Sequence, residues 1–164
     1  MKKVLVFLFV LFAAISLVAC QKEESFEMPE EVTMANIDEV LFTEGVEVVD
    51  LRNWQDKMNG GYIRGSHMIP FFQYLESENI LVRTDGNWEF APEDIKDENA
   101  LRNLFDEDMN IVLFCAGGTR AGFVRAALLH LGYENVWNAG AIGDYTGENK
   151  VFGDGTYVFP PVAE

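Results

Sequence analysis

Ile111-Val112-Leu113-Phe114-Cys115-Ala116-Gly117-Gly118-Thr119-Arg120 is an apolar run that ends at a thiol, passes through small residues and enters a helix-like segment reaching Leu131. A short apolar run closed by glycines reads as a buried strand. A helix starting directly after it sets Cys115 over the helix N-terminus. There the first N–H groups lack partners and the dipole is positive, so an anion is favoured. Such surroundings favour the thiolate, the form of cysteine that attacks. Gly117 and Gly118 let successive N–H groups curl toward one point, and Arg120 adds a planar cation. Cys115 is therefore the candidate nucleophile, and Ala116, Gly117, Gly118, Thr119 and Arg120 form a candidate cradle for a sulfur-borne or oxyanionic group. An inert core cysteine would need neither the glycines nor the arginine.

Outward from this loop, the pattern alternates strand and helix. It predicts a strand within 26–34, a helix at 35–41, a strand at 46–51 and a helical turn at 53–58. A brief strand at 66–69 follows, then a helix at 71–76 and a hairpin from 80–83 and 88–90. A helix from Pro92 to about Phe105, the strand at 111–114, a helix at 119–131 and a strand at 136–138 complete the body. Alternation of this kind gives an α/β domain with a mainly parallel central sheet flanked by helices on both faces. Sites in such sheets lie outside the carboxyl ends of the strands, where Cys115 falls. The thiol is accordingly expected to be open at the rim of the sheet.

Residues 1–19 read as an export signal: a positive start at Lys2 and Lys3, an apolar stretch from Val4 to Ala19, and Leu17-Val18-Ala19-Cys20 at its close. The last four residues resemble a lipoprotein cleavage box, making Cys20 the expected lipidation site. Residues 20–30 read as an acidic tether and 31–164 as a single domain. The expected location is the extracytoplasmic face of a membrane, with the lipid as the hold. If Cys20 is acylated, Cys115 is the free thiol, and no metal site of the Cys/His kind is expected, because His67 and His130 are the chain's only histidines. The net charge of −15 disfavours nucleic acid as a partner, since phosphate binding depends on Lys and Arg.

Several segments together resemble the rhodanese (sulfurtransferase) family. Val48-Val49-Asp50-Leu51-Arg52 is similar to its "V-[IV]-D-x-R" strand end. Gly61 through Pro70 is similar to its "G-H-I-x-G-[AS]-x-x-[IM]-P" segment, with Tyr62 in place of the usual histidine. Cys115 through Arg120 matches its "C-x-x-G-x-R" loop, and Val136 through Gly140 its following strand and turn, with Ala141 in place of a second glycine. Phe90 through Asp94 is similar to a segment of the catalytic half of the two-domain thiosulfate and mercaptopyruvate sulfurtransferases.

The resemblance implies a persulfide on Cys115, held by loop amides and passed from a donor such as thiosulfate to a thiol or other thiophilic acceptor, with no cofactor. Arg64 is a candidate substrate contact, and Arg120 either orients the donor or braces the loop. Asp50 and Arg52 tie a strand end to its neighbour. A cysteine phosphatase fits less well, because its loop is longer than the four residues between Cys115 and Arg120. The alternative of another class is a non-catalytic module that senses oxidants or docks a partner. The stretch beyond Gly147 carries no assigned role.

Overall fold

Residues 26–152 are described by the computed structural model. The export signal, Cys20 and most of the tether lie outside the described residues, as do Tyr157, Phe159 and the Pro160-Pro161 pair. Strands β1 (Val46–Asp50), β3 (His67–Met68), β4 (Asn110–Cys115) and β5 (Val136–Ala141) form a parallel sheet in the order β3-β1-β4-β5. Strand β2 (Tyr62–Ile63) pairs antiparallel with β6 (Lys150–Val151) in a separate ribbon. Lys150 and Val151 thus have a place in the fold that their sequence did not reveal.

Side chains of a strand alternate between faces, and β4 shows this along its length. Ile111, Leu113 and Cys115 join the core of one face with Val49 and Leu51, while Val112 and Phe114 join the other with Val48. The first face is covered by α3 (Thr119–His130), which buries Ala121, Phe123, Val124, Ala127 and Leu128. It is also covered by α2 (Glu98–Leu104) and a π-helical segment, Phe71–Glu76. The second face is closed by Val32, Met34, Ile37, Val40 and Leu41 from one side and Ile142 and Tyr145 from the other. Helix α1 (Trp54–Gly60) follows β1 and buries none of its residues.

The α/β architecture with its mainly parallel sheet is as expected, but several elements differ. The segment at 26–34 forms no strand; its main-chain bond to the sheet is Met34 N–H to the Ala139 carbonyl, 3.1 Å. The helix at 35–41 shrinks to one 3₁₀ turn, Ile37–Glu39. The hairpin at 80–90 does not form, because Leu81 bridges Ile95 instead and Asp94 takes the loop's amides, Thr84 N–H at 2.8 Å and Ala91 N–H at 2.8 Å. Trp88 turns inward against Phe71 and Phe123. The helix expected from Pro92 to Phe105 breaks for the same reason. Ile95 is extended in its bridge, and a new start is made at Asp97, whose side chain caps the Ala100 N–H.

Candidate functional site

The chain leaves β1 toward β3 on one side of the sheet and leaves β4 toward β5 on the other. The carboxyl ends of β1 and β4, adjacent through the pairing of Asp50 with Phe114, therefore flank the switch point where crevices form in open α/β sheets. Cys115 closes β4 at this point and pairs with Ala141 of β5. It is the free cysteine among the described residues.

The loop after Cys115 is built to leave its donors unspent. None of the main-chain N–H groups from Ala116 through Arg120 reaches a carbonyl or side-chain acceptor among the described residues. Gly118, the N-cap of α3, has φ +82 and ψ −18, a left-handed conformation that a side chain strains. A Cβ there would also stand 3.3 Å from Gly140 Cα, so this glycine is demanded twice. At Gly117, by contrast, a Cβ would meet nothing within 4 Å. Ala116, Gly117 and Thr119 are exposed. A row of free N–H groups at the start of a three-turn helix is an anion site.

The thiol itself is not open at the rim as expected. Cys115 is 1% exposed and belongs to the core under α3, because its position in β4 gives it the same face as Ile111 and Leu113.

Arg120 has the brace role. Its Nη1 donates to the Leu51 carbonyl at 3.3 Å and stands 3.9 Å from an Asp56 carboxylate oxygen, and its guanidinium lies 5.6 Å from the Phe72 ring centre. It thereby ties α3 across the crevice to the end of β1 and to α1. Gln73 fastens the same wall, accepting from Trp54 N–H at 2.7 Å and donating to Gln55 Oε1 at 2.8 Å. Arg83 stacks on Trp88 at 4.4 Å and on Phe72 at 5.0 Å, with its Nε on Glu76 at 3.0 Å. Lys57 of α1 lies 4.7 Å from the Tyr62 ring centre, and burial lowers its amine pKa.

Arg64 is not brought to the loop. It is exposed in the turn before β3, and a Cβ on the adjoining Gly65 would stand 2.6 Å from the ring of Phe42, which precedes β1. That places the turn carrying Arg64 beside the segment leading into β1, toward the strand starts, whereas Cys115 closes a strand. His67 is exposed, and His130 packs 5.6 Å from Phe90.

Asp50 and Arg52 have the structural role expected of them. The pair is buried, with Arg52 Nη2 at 2.7 Å from Asp50 Oδ2 and 2.8 Å from the Gly61 carbonyl. A surface hollow of about 730 Å³ lined by Arg102, Asp106, Glu107 and Tyr133 sits at the far end of α3. The Arg102 donors there are taken by Glu98, Glu107 and the Leu131 carbonyl.

Sequence reasoning missed Phe72, Gln73 and Asn138. The first two lie in a segment read only as a helix, and no local pattern marks them. Asn138 did carry a signal: a polar amide inside a strand, two residues before Gly140.

The family model for the rhodanese-like domain matches residues 33–140, and the chain belongs to that family. A chloroplastic rhodanese-like domain-containing protein of Arabidopsis thaliana is 27% identical over 132 residues, covering 70% of this chain and 55% of that protein. The chain thus spans about half the length of this curated relative. A rhodanese-like domain protein from Staphylococcus aureus has a similar fold, with a TM-score of 0.50 at 20% identity over 76% of this chain and 98% of that one. A human single-domain sulfurtransferase is also similar, with a TM-score of 0.42 at 21% identity over 69% and 92%.

Proposed function

We propose that this member of the rhodanese-like domain family is a sulfurtransferase that carries a persulfide on Cys115. The observation that carries the reading is the row of unspent N–H groups from Ala116 through Arg120, immediately after the free thiol. In the first half-reaction the Cys115 thiolate attacks the outer sulfur of a donor such as thiosulfate. A Cys115 S–S bond forms, the donor's S–S bond breaks, and sulfite leaves with that electron pair. The outer sulfur now bears the negative charge, and donors fixed in place beforehand stabilise it as an oxyanion hole stabilises oxygen. In the second half-reaction an acceptor thiolate or cyanide attacks that sulfur, and the Cys115 thiolate is the leaving group. No second cysteine lies among the described residues, so an external acceptor discharges the persulfide. Burial of Cys115 suits a reaction that moves one atom, since the low-dielectric surroundings strengthen the interaction of the charge with the N–H groups.

The sequence of the first twenty residues supports export and anchoring. In this reading the signal is cleaved before Cys20, lipid is attached to that cysteine, and the domain works on the extracytoplasmic face of a membrane. A Cys20→Ala form that still carries lipid and fractionates with membranes overturns the anchor.

Mass spectrometry after incubation with thiosulfate or mercaptopyruvate tests the activity. The expected result is a gain of one sulfur on Cys115 that is lost on adding cyanide and is absent from Cys115→Ser. The second reading is a module that docks a partner without turnover, and burial of the thiol is the observation that favours it, because an oxidant-sensing thiolate is exposed. Uptake of sulfur from neither donor by the folded protein would decide for it.

A further inference from the structure

We propose that Asn138 is the positioning residue of the active loop, an inference that rests on the sulfurtransferase reading for its kinetic arm. Asn138 lies in β5, opposite Leu113, at the irregularity where the register skips Ala139 and Phe114 pairs with Gly140. Its side chain joins the N-cap of α3 to the main chain of its own strand. Nδ2 donates to the Gly118 carbonyl at 3.0 Å, and Oδ1 accepts from the Gly140 N–H at 3.0 Å. Both halves of the amide are therefore used, and their order is fixed, since only nitrogen can donate to a carbonyl.

Two glycines border this side chain: a Cβ at Gly122 would stand 3.4 Å from Asn138 Nδ2, and one at Gly118 would stand 3.9 Å from Asn138 Oδ1.

The consequence reaches the anion cradle through peptide planarity. The Gly118 carbonyl and the Thr119 N–H belong to one trans peptide and point in opposite directions. Two donors hold that carbonyl, Asn138 Nδ2 and the Gly122 N–H at 2.9 Å. Holding it down under α3 keeps the Thr119 N–H aimed out of the helix end, toward the loop. Asn138 touches neither donor nor thiol; it acts by fixing a peptide that does.

Two variants and two readouts test this. Asn138→Asp keeps the acceptor for Gly140 but sets a carboxylate oxygen against the Gly118 carbonyl, whereas Asn138→Ala loses both bonds. For a positioning role, both variants lower the turnover number for sulfur transfer about tenfold with little change in KM, and Asp is at least as slow as Ala. That loss is smaller than the hundredfold or more from deleting an oxyanion donor, because the donor is misdirected rather than removed. In a merely structural role turnover falls only as far as stability does, so activity that tracks urea stability across the two variants would mark it.

Independently of activity, hydrogen–deuterium exchange of the peptide covering residues 121–125, whose Gly122 N–H donates to the Gly118 carbonyl, is expected to quicken in both variants while β1 and β4 stay protected. Unchanged exchange in that peptide, or an Asp variant faster in turnover than Ala, overturns the proposal. A parent protein that takes up no sulfur sinks the sulfurtransferase reading instead, and the exchange comparison then decides on Asn138 alone.

Discussion

The turns that follow β1 and β4 lie side by side at the carboxyl edge of one sheet and are built in opposite ways. After β1, charge and backbone are spent on each other. Asp50 accepts from Arg52 N–H at 3.0 Å as well as from its guanidinium, and Arg52 goes on to the carbonyls of Gly61 at 2.8 Å and Asp56 at 3.4 Å. After β4, the N–H groups from Ala116 through Arg120 have no protein partner. Buried polar groups are nearly always paired, as in the first turn, whereas the exposed N–H groups of the second stay free for water or a ligand. The comparison separates a motif whose polar groups are spent on the fold from one whose donors are left free, though both belong to one family pattern.

The largest expected effect is on the closed turn. Arg52→Met leaves the Asp50 carboxylate buried without its partner and should cost about 3–5 kcal/mol of stability. Urea denaturation reads it directly, and a loss under about 1 kcal/mol would mean the pair is dispensable. Next comes the strained position of the open turn. Gly118→Ala must adopt a left-handed conformation and crowd Gly140, at a cost of about 1–3 kcal/mol. Its loss of sulfur transfer should exceed what reduced stability explains, because the N–H row is redirected. If activity follows stability alone, the loop geometry is not what serves the chemistry.

A second closed carboxylate carries the contrast into pH. Burial would push the Asp94 carboxyl up, but the N–H groups of Ala91 and Thr84 outweigh it and hold the carboxyl below its ordinary range. A native carboxyl that ionises below the unfolded one stabilises fully above the unfolded value of about 3.9, and that stability is lost as pH falls through the lower native value. Asp94→Asn should therefore cost about 1–2 kcal/mol at neutral pH, with the gap to the parent closing in acid. A gap that is constant with pH would show that the ionised form is not what matters.

The smallest effect is expected at Gly117. Its neighbour Gly118 is fixed by backbone and space, but a Cβ at 117 meets nothing. Gly117→Ala should leave stability within about 0.5 kcal/mol of the parent. A large loss in a thermal melt would mean that the crest of the loop is packed in a way that its open surroundings do not suggest.

Much of this was legible in the chain itself. The apolar run ending at Cys115, the glycines and Arg120 gave β4, its turn and α3 to within a residue, because strand period, glycine turns and helix starts are local properties. The same locality explains the errors around 80–105. There the hairpin and the long helix gave way to a bridge between Leu81 and Ile95 and to the bond from Thr84 N–H to the Asp94 carboxylate, contacts between residues about ten to fourteen apart.

Sequence by itself determined the layered α/β architecture, the nucleophile's position at a strand end, and the glycine that the loop requires. Only the tertiary structure decided that Cys115 faces the core under α3, that Arg120 braces β1, that the turn carrying Arg64 lies toward the strand starts, and that Asn138 holds Gly118. The reason is physical: local pattern fixes the backbone state of a segment, whereas a side chain's partners depend on which strands come to lie together. Asn138 and Gly118 stand on opposite sides of a helix in sequence, and the sheet brings them to hydrogen-bonding distance.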